Sequence, residues 1–149
     1  MIFISHRGNI TGKNKEKENS PEYIEVALKK GYHVEIDVWY INKKWYLGHD
    51  LPQHEIELSF LNNDKLWCHA KNIESLERMI EENIHCFWHQ EDDVTLTSRG
   101  YLWTYPGKKV TTKSIAVLPE IKDFVNIGIV AGICTDYPLL YEVQNKRGV

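Results

Sequence analysis

What most limits the folds open to this chain is the length and spacing of its apolar runs. IFIS, VEIDV, KLWCHAK, IHCFWHQ, GYLWTYPG, SIAVLPE and AGICTDYP follow one another, each only a few residues long. Runs this short suit β-strands and fall far below a membrane span. Two of the intervals between them carry helix signals. Ser20-Pro21-Glu22 offers an N-cap, a first-turn proline and an acid, Tyr23, Ile24, Ala27 and Leu28 recur at helical spacing, and Lys29-Lys30-Gly31 closes the pattern. A helix over roughly 21–30 is therefore predicted. Asn72 caps a second one through Ile73, Leu76, Met79 and Ile80. Strands alternating with helices predict an α/β fold with a parallel sheet of seven strands.

With 149 residues, 42% of them hydrophobic, the chain suits one domain over 1–149, and no linker, repeat or low-complexity tract divides it. The net charge of −3 leaves no general nucleic-acid footprint. MIFISHRGN lacks the basic and long apolar regions of a signal peptide. Cys68, Cys86 and Cys134 are odd in number and set in apolar sequence, which reads as buried thiols of a cytoplasmic protein and not as a zinc site. GNITGKNKEKENS reads as a loop whose Lys13, Lys15 and Lys17, interleaved with Glu16 and Glu18, are solvated and flexible. The tail QNKRGV is expected to fray.

One segment breaks the apolar rule. VEIDVWYINKKWYLGHD (34–50) reads as a strand, a turn at Asn42-Lys43 and a returning strand. Alternation puts Glu35 and Asp37 on one strand face, their carboxylates roughly 7 Å apart. A helix-flanked parallel strand is normally apolar on both faces. Two carboxylates there hold a divalent cation, or repel until one is pushed toward protonation. Polar residues also gather at the carboxyl ends of the other strands: His6-Arg7, His69 and Lys71, His89-Gln90, Thr104, Glu120 and Thr135-Asp136. In parallel α/β folds that edge binds ligands.

His-Arg-Gly at 6–8, Glu-Asn at 18–19, Glu-x-Asp at 35–37 and His-Asp at 49–50 together resemble the N-terminal signature of the glycerophosphodiester phosphodiesterase family, within the phospholipase-C-like TIM-barrel phosphodiesterases. The likeness covers residues 4–50, with weaker echoes in LWTYPG and GICTDYP. It implies metal-dependent hydrolysis of a small glycerophosphodiester-like substrate. By the same resemblance Glu35 and Asp37 are metal ligands, His6 and His49 the acid/base pair, Arg7 a phosphate contact, and Glu18 and Asn19 supporting residues. Lys71 keeps the lysine of the family's Glu-x-Lys strand, and Trp103 lies in the matched Trp-Thr stretch, so both are read as substrate contacts. The cofactor implied is Mg²⁺ or Ca²⁺, with Mn²⁺ a third choice.

The chain departs from that pattern twice. His69 stands where the family has a metal-binding glutamate, which lowers ligand charge and shifts preference away from Ca²⁺ toward transition metals. Glu120 is a competing oxygen ligand, with an equally good role as a first-turn helix acid. A TIM barrel needs about 250 residues, so a shortened or incomplete barrel is expected, with several helices replaced by loops. Its exposed edges leave room for an oligomer. The alternative function is a non-catalytic phosphate-ligand binding module. Asp37→Asn is expected to leave the metal-free fold intact or stabilise it, by relieving repulsion from Glu35.

Overall fold

The computed structural model describes residues 1–148. In chain order the elements are β1 (Ile2–His6), α1 (Pro21–Lys29), β2 (His33–Ile41), β3 (Lys44–Leu47), β4 (His54–Ile56), α2 (Leu58–Leu61), β5 (Leu66–Ala70) and α3 (Ile73–Glu81). The second half holds β6 (Cys86–Phe87), β7 (Val94–Leu96), β8 (Leu102–Thr104), β9 (Ser114–Val117), a 3₁₀ turn (Ile127–Ile129), β10 (Gly132–Thr135) and α4 (Pro138–Lys146). One curled sheet carries all ten strands. Seven of them run parallel in the order β6-β5-β2-β1-β10-β9-β8, while β3, β4 and β7 are antiparallel additions.

Local chemistry accounts for the elements that were foreseen. The Ser20 side chain accepts a hydrogen bond from Tyr23 N, and Gly31, at φ 95°, follows the end of α1. Asn42 and Lys43 both take positive φ, the geometry of a tight two-residue hairpin turn, so β2 doubles back into β3. Asn72 caps α3 through Ser75 N. Met79 of α3 is buried, whereas Ile73 and Ile80 remain exposed.

The sheet separates two kinds of core. Val34, Ile36, Val38, Leu66, Cys68 and Ala70 pack outward against Ile24 and Ala27 of α1 and Met79 of α3. Ile4, Trp67, Phe87, Trp103, Ile115, Val117 and Cys134 fill the concave side. Each fully buried Val or Ile contributes about 1.5–3 kcal/mol. Glu35 and Asp37 alternate with that outward set and so belong to the concave face. All three cysteines are free and buried.

Helices are missing where the chain is shortest. Between β6 and β8 the only regular element is β7, and among the described residues no ladder joins β6 to β8. The β7–β8 hairpin spans that gap by single bonds, Ser98 N to Cys86 O at 2.8 Å and Thr95 Oγ1 to Trp88 O at 2.8 Å. No helix among the described residues is long and apolar enough to cross a membrane. Two expectations need correcting. Gln144, Asn145 and Lys146 continue α4 instead of fraying, because Pro138 starts that helix and Glu142 ties it down through Lys146 Nζ (2.9 Å) and Tyr32 Oη (2.9 Å). Val149 lies outside the described residues. No helix begins at Glu120, where Leu118 turns the chain at φ 48°.

His85, on the approach to β6, is 3% exposed and bonds Thr97 Oγ1 through Nε2 at 2.8 Å. Burial, with Arg99 and His33 nearby, pushes its pKa down to about 4. Below pH 6.5 the unfolded chain takes up a proton that the folded chain refuses. Stability should therefore fall as pH drops from 6.5 toward 4, by at most about 1.4 kcal/mol per pH unit from this residue. Urea melts of wild type and His85→Gln across that window should diverge by that slope. Parallel curves would show that His85 does not titrate differently in the two states.

Candidate functional site

Register builds the site. Parallel pairing sets His6 beside Glu35 and Asp37 beside His69. Concave-face residues of three neighbouring strands therefore meet at one end of the sheet. Asp37 is fully buried and Glu35 nearly so. One ligand atom from each of Glu35, Asp37 and His69 lies within 4.8 Å of the others. His6, Arg7, Glu18, Asn19, Glu35, His49, His69, Lys71 and Trp103 all line one cavity of about 790 Å³, with Asp37 beneath them. The residues that the resemblance implied thus lie around one cavity, which Glu120 does not line.

Two tight turns bring in the loop residues. After β1 the chain turns through Arg7 (φ 56°) and Gly8 (φ 94°), where a Cβ would come within 2.7 Å of Tyr23 Cδ1. Gly48, at φ 154°, lets the loop after β3 fold back, since a Cβ there would run into the Leu51 carbonyl. Trp39 Nε1 donates to the Gly48 carbonyl at 2.7 Å, fixing His49 next to it. Asn19 bridges the two halves, its amide donating to Asp37 Oδ2 (2.9 Å) while its oxygen accepts from Asp37 N (3.0 Å).

Hydrogen-bond partners assign the histidine tautomers. His6 Nδ1 donates to the Asp136 carboxylate at 2.7 Å, leaving Nε2 toward Glu35 Oε2 at 3.8 Å. His69 Nε2 donates to the His89 carbonyl at 2.8 Å, so Nδ1 faces Asp37 Oδ1 (3.3 Å) and Glu35 Oε1 (3.8 Å). A guanidinium can only donate, so His49 Nδ1 accepts from Arg7 Nη2 at 2.7 Å. The other Arg7 nitrogens face protein as well, Nη1 toward Glu18 Oε2 (3.2 Å) and Nε toward Asp37 Oδ2 (3.1 Å). Arg7 lines the cavity with its fork already engaged by these groups.

The two carboxylates have opposite environments. Burial by itself would raise Asp37, but the favourable groups around it, the Arg7 charge among them, outweigh it and hold that carboxyl well below the usual range. Glu35 is pushed up, first by burial and then by the charge of Asp37. Burial opposes charge on His6, yet the Asp136 hydrogen bond and Glu35 raise its pKa on balance.

The donor set fits a divalent cation. Glu35 Oε2 and Asp37 Oδ1 are buried and lack any hydrogen-bond partner, and the one lone pair on the His69 ring points at the carboxylates. Buried unpartnered oxygens are costly. Two carboxylate oxygens and an imidazole nitrogen, with the imidazole's second nitrogen anchored on a carbonyl, are the ligand types and outer-shell support of a metal centre. Glu120 does not join them. Its oxygens accept from Thr135 Oγ1 (2.9 Å) and Asp136 N (2.8 Å), so it braces the aspartate that orients His6.

Sequence reasoning placed Asp136 at the ligand-binding edge without giving it a role, and missed Asn9 altogether. Asn9 is fully buried, its amide donating to Glu18 Oε1 (3.1 Å) and Asp136 Oδ1 (2.9 Å), its oxygen accepting from Asn14 N (3.1 Å) and Tyr23 Oη (3.1 Å). A signal existed for Asp136, since Thr-Asp-Tyr-Pro closes a strand. Asn9 had none beyond its place in a polar loop. No family model matches this chain, and neither a curated protein nor a solved structure matches it.

Proposed function

We propose that this protein is a metal-dependent phosphodiesterase acting on a small phosphodiester, on a shortened TIM-type barrel. The observation that carries the reading is the pair of buried, unpartnered oxygens on Glu35 and Asp37 facing the free lone pair of His69, with His6 and His49 lining the same cavity. Seven parallel strands in a curled sheet, with the site at one end, support the barrel assignment.

Glu35, Asp37 and His69 would hold Mg²⁺, Ca²⁺ or Mn²⁺, which when bound offsets charge on a non-bridging phosphate oxygen. His6, oriented by Asp136, and His49, oriented by Arg7, then divide the proton work. One accepts the proton of the attacking hydroxyl or water and the other gives a proton to the leaving alkoxide. Asn19 and Arg7 hold Asp37 in place from behind. Lys71, 3.9 Å from Asp37 Oδ1, and Trp103 border the space left for substrate.

A second reading is a phosphate-binding module without turnover, favoured by the engagement of both terminal Arg7 nitrogens with protein groups, Nη1 with Glu18 and Nη2 with His49. Hydrolysis of bis(p-nitrophenyl) phosphate separates the two. Release of p-nitrophenolate that needs Mg²⁺, Mn²⁺ or Ca²⁺ and stops with chelator is expected. Binding of glycerol phosphate without hydrolysis of any diester would replace the first reading by the second.

A further inference from the structure

Lys13 and Lys15 are exposed, as expected of a solvated loop, but both also border the cavity, and the loop that carries them is pinned. Asn9, fully buried at its start, bonds the Asn14 backbone, Glu18 and Asp136. Gly12 N donates to the Asp136 carbonyl at 2.9 Å, and Lys17 N and Glu18 N donate to the Asn14 carbonyl at 3.1 and 3.0 Å. Ser5 Oγ donates to the Asn9 carbonyl at 2.7 Å. The loop read as flexible is thus tied to β1, to the end of β10 and to itself.

Charge separates these two lysines from the other cations of the cavity. Arg7 is paired with Glu18 and Asp37, and Lys71 with Asp37. Among the described residues no acidic group lies within ion-pair distance of Lys13 or Lys15. The loop's own acid at the cavity, Glu18, is used up by Arg7 and Asn9. Arg7, Lys13, Lys15 and Lys71 balance Glu18, Glu35, Asp37 and Asp50, while Asp136, whose charge Lys13 also favours, is bonded to His6 and Asn9. A divalent cation would add two positive charges, and a phosphodiester offsets only one of them. The volume of about 790 Å³ leaves room for a substituted polyol beyond the phosphate.

We infer that Lys13 and Lys15 form a second anion subsite, and that the substrate is a phosphodiester one of whose alcohols carries a further anionic group, a phosphate or a carboxylate. The inference rests on the phosphodiesterase reading for the first subsite only. Its own test is binding, which does not require turnover.

Calorimetry in Mn²⁺ at low salt should compare glycerol 1-phosphate with glycerol 1,3-bisphosphate and 3-phosphoglycerate, the latter two distinguishing phosphate from carboxylate. Wild type should prefer at least one of the two probes that carry a second anionic group by about tenfold, the combined effect of two water-exposed charges, and added NaCl should erode the preference. In Lys13→Ala/Lys15→Ala the preference should shrink to about twofold, and in Lys13→Glu/Lys15→Glu it should reverse. Lys17→Ala, on the same loop but outside the cavity lining, should keep it. Equal affinities in wild type, or an equal loss in Lys17→Ala, would overturn the subsite. If the preference holds while no diester is hydrolysed, the subsite stands and the catalytic reading falls. If diesters are hydrolysed with no preference, only the subsite falls.

Discussion

Diester turnover in His49→Ala should fall by about 10²–10⁴-fold while affinity for glycerol phosphate stays within a few-fold of wild type. General acid/base catalysis contributes in the transition state and little to ground-state binding. His49 suits this test better than His6. Its side chain is 42% exposed and touches Arg7, which keeps Asp37 and Glu18 as partners after the ring is gone. His6 is buried between Asp136 and Glu35, so removing it strands two carboxylates and mixes a folding defect with a catalytic one. Steady-state hydrolysis beside calorimetry on the same preparations makes the comparison. If His49→Ala loses affinity and turnover in equal measure, the ring binds ligand and does not move a proton.

What could be read from the sequence and what could not follows from the range of the interactions involved. The Asn42-Lys43 turn, the Ser20 and Asn72 caps and the placing of Glu35 and Asp37 on one strand face depend on residues a few positions apart, and all are present. Pairing of β1 with β10 joins the two ends of the chain, and only that pairing brings Asp136 to His6 across 130 positions. No local pattern encodes it. The Lys13 to Lys17 stretch is the exposed loop that composition marks, but its anchoring is equally non-local, coming from one buried asparagine and from the end of the last strand. Glu120 and the C-terminal tail were misread because a proline beside an acid, or a run of polar residues, fits a turn, a helix start or a frayed end equally well until its neighbours are known.

The structure also changes what the carboxylate variants should do. From the sequence, Glu35 and Asp37 are interchangeable like charges, and removing either should relieve the other. In the fold they are not equivalent. Asp37 accepts from Asn19 and lies within 3.1–3.9 Å of Arg7, His69, His49 and Lys71, so its charge is the centre of a buried ionic cluster. Asp37→Asn leaves Arg7 and its neighbours without that counter-charge, and removing one partner of a buried pair costs about 3–5 kcal/mol. For a chain of this size that is a fall in melting temperature of about 10 °C in metal-free buffer. Glu35 is the carboxyl raised by burial and by Asp37, with one oxygen unpartnered and the His6 and His69 rings no nearer than 3.8 Å. Glu35→Gln removes the repulsion and should leave metal-free stability unchanged or slightly higher. Both variants should lose the rise in melting temperature that saturating Mn²⁺ gives wild type, a gain of about 2.7 kcal/mol at a hundredfold excess over Kd. Thermal melts with and without Mn²⁺ read both effects at once. Equal metal-free stability of the two variants would mean that the ionic cluster around Asp37 does not support the fold, and a retained Mn²⁺ shift in either would remove that residue from the ligand set.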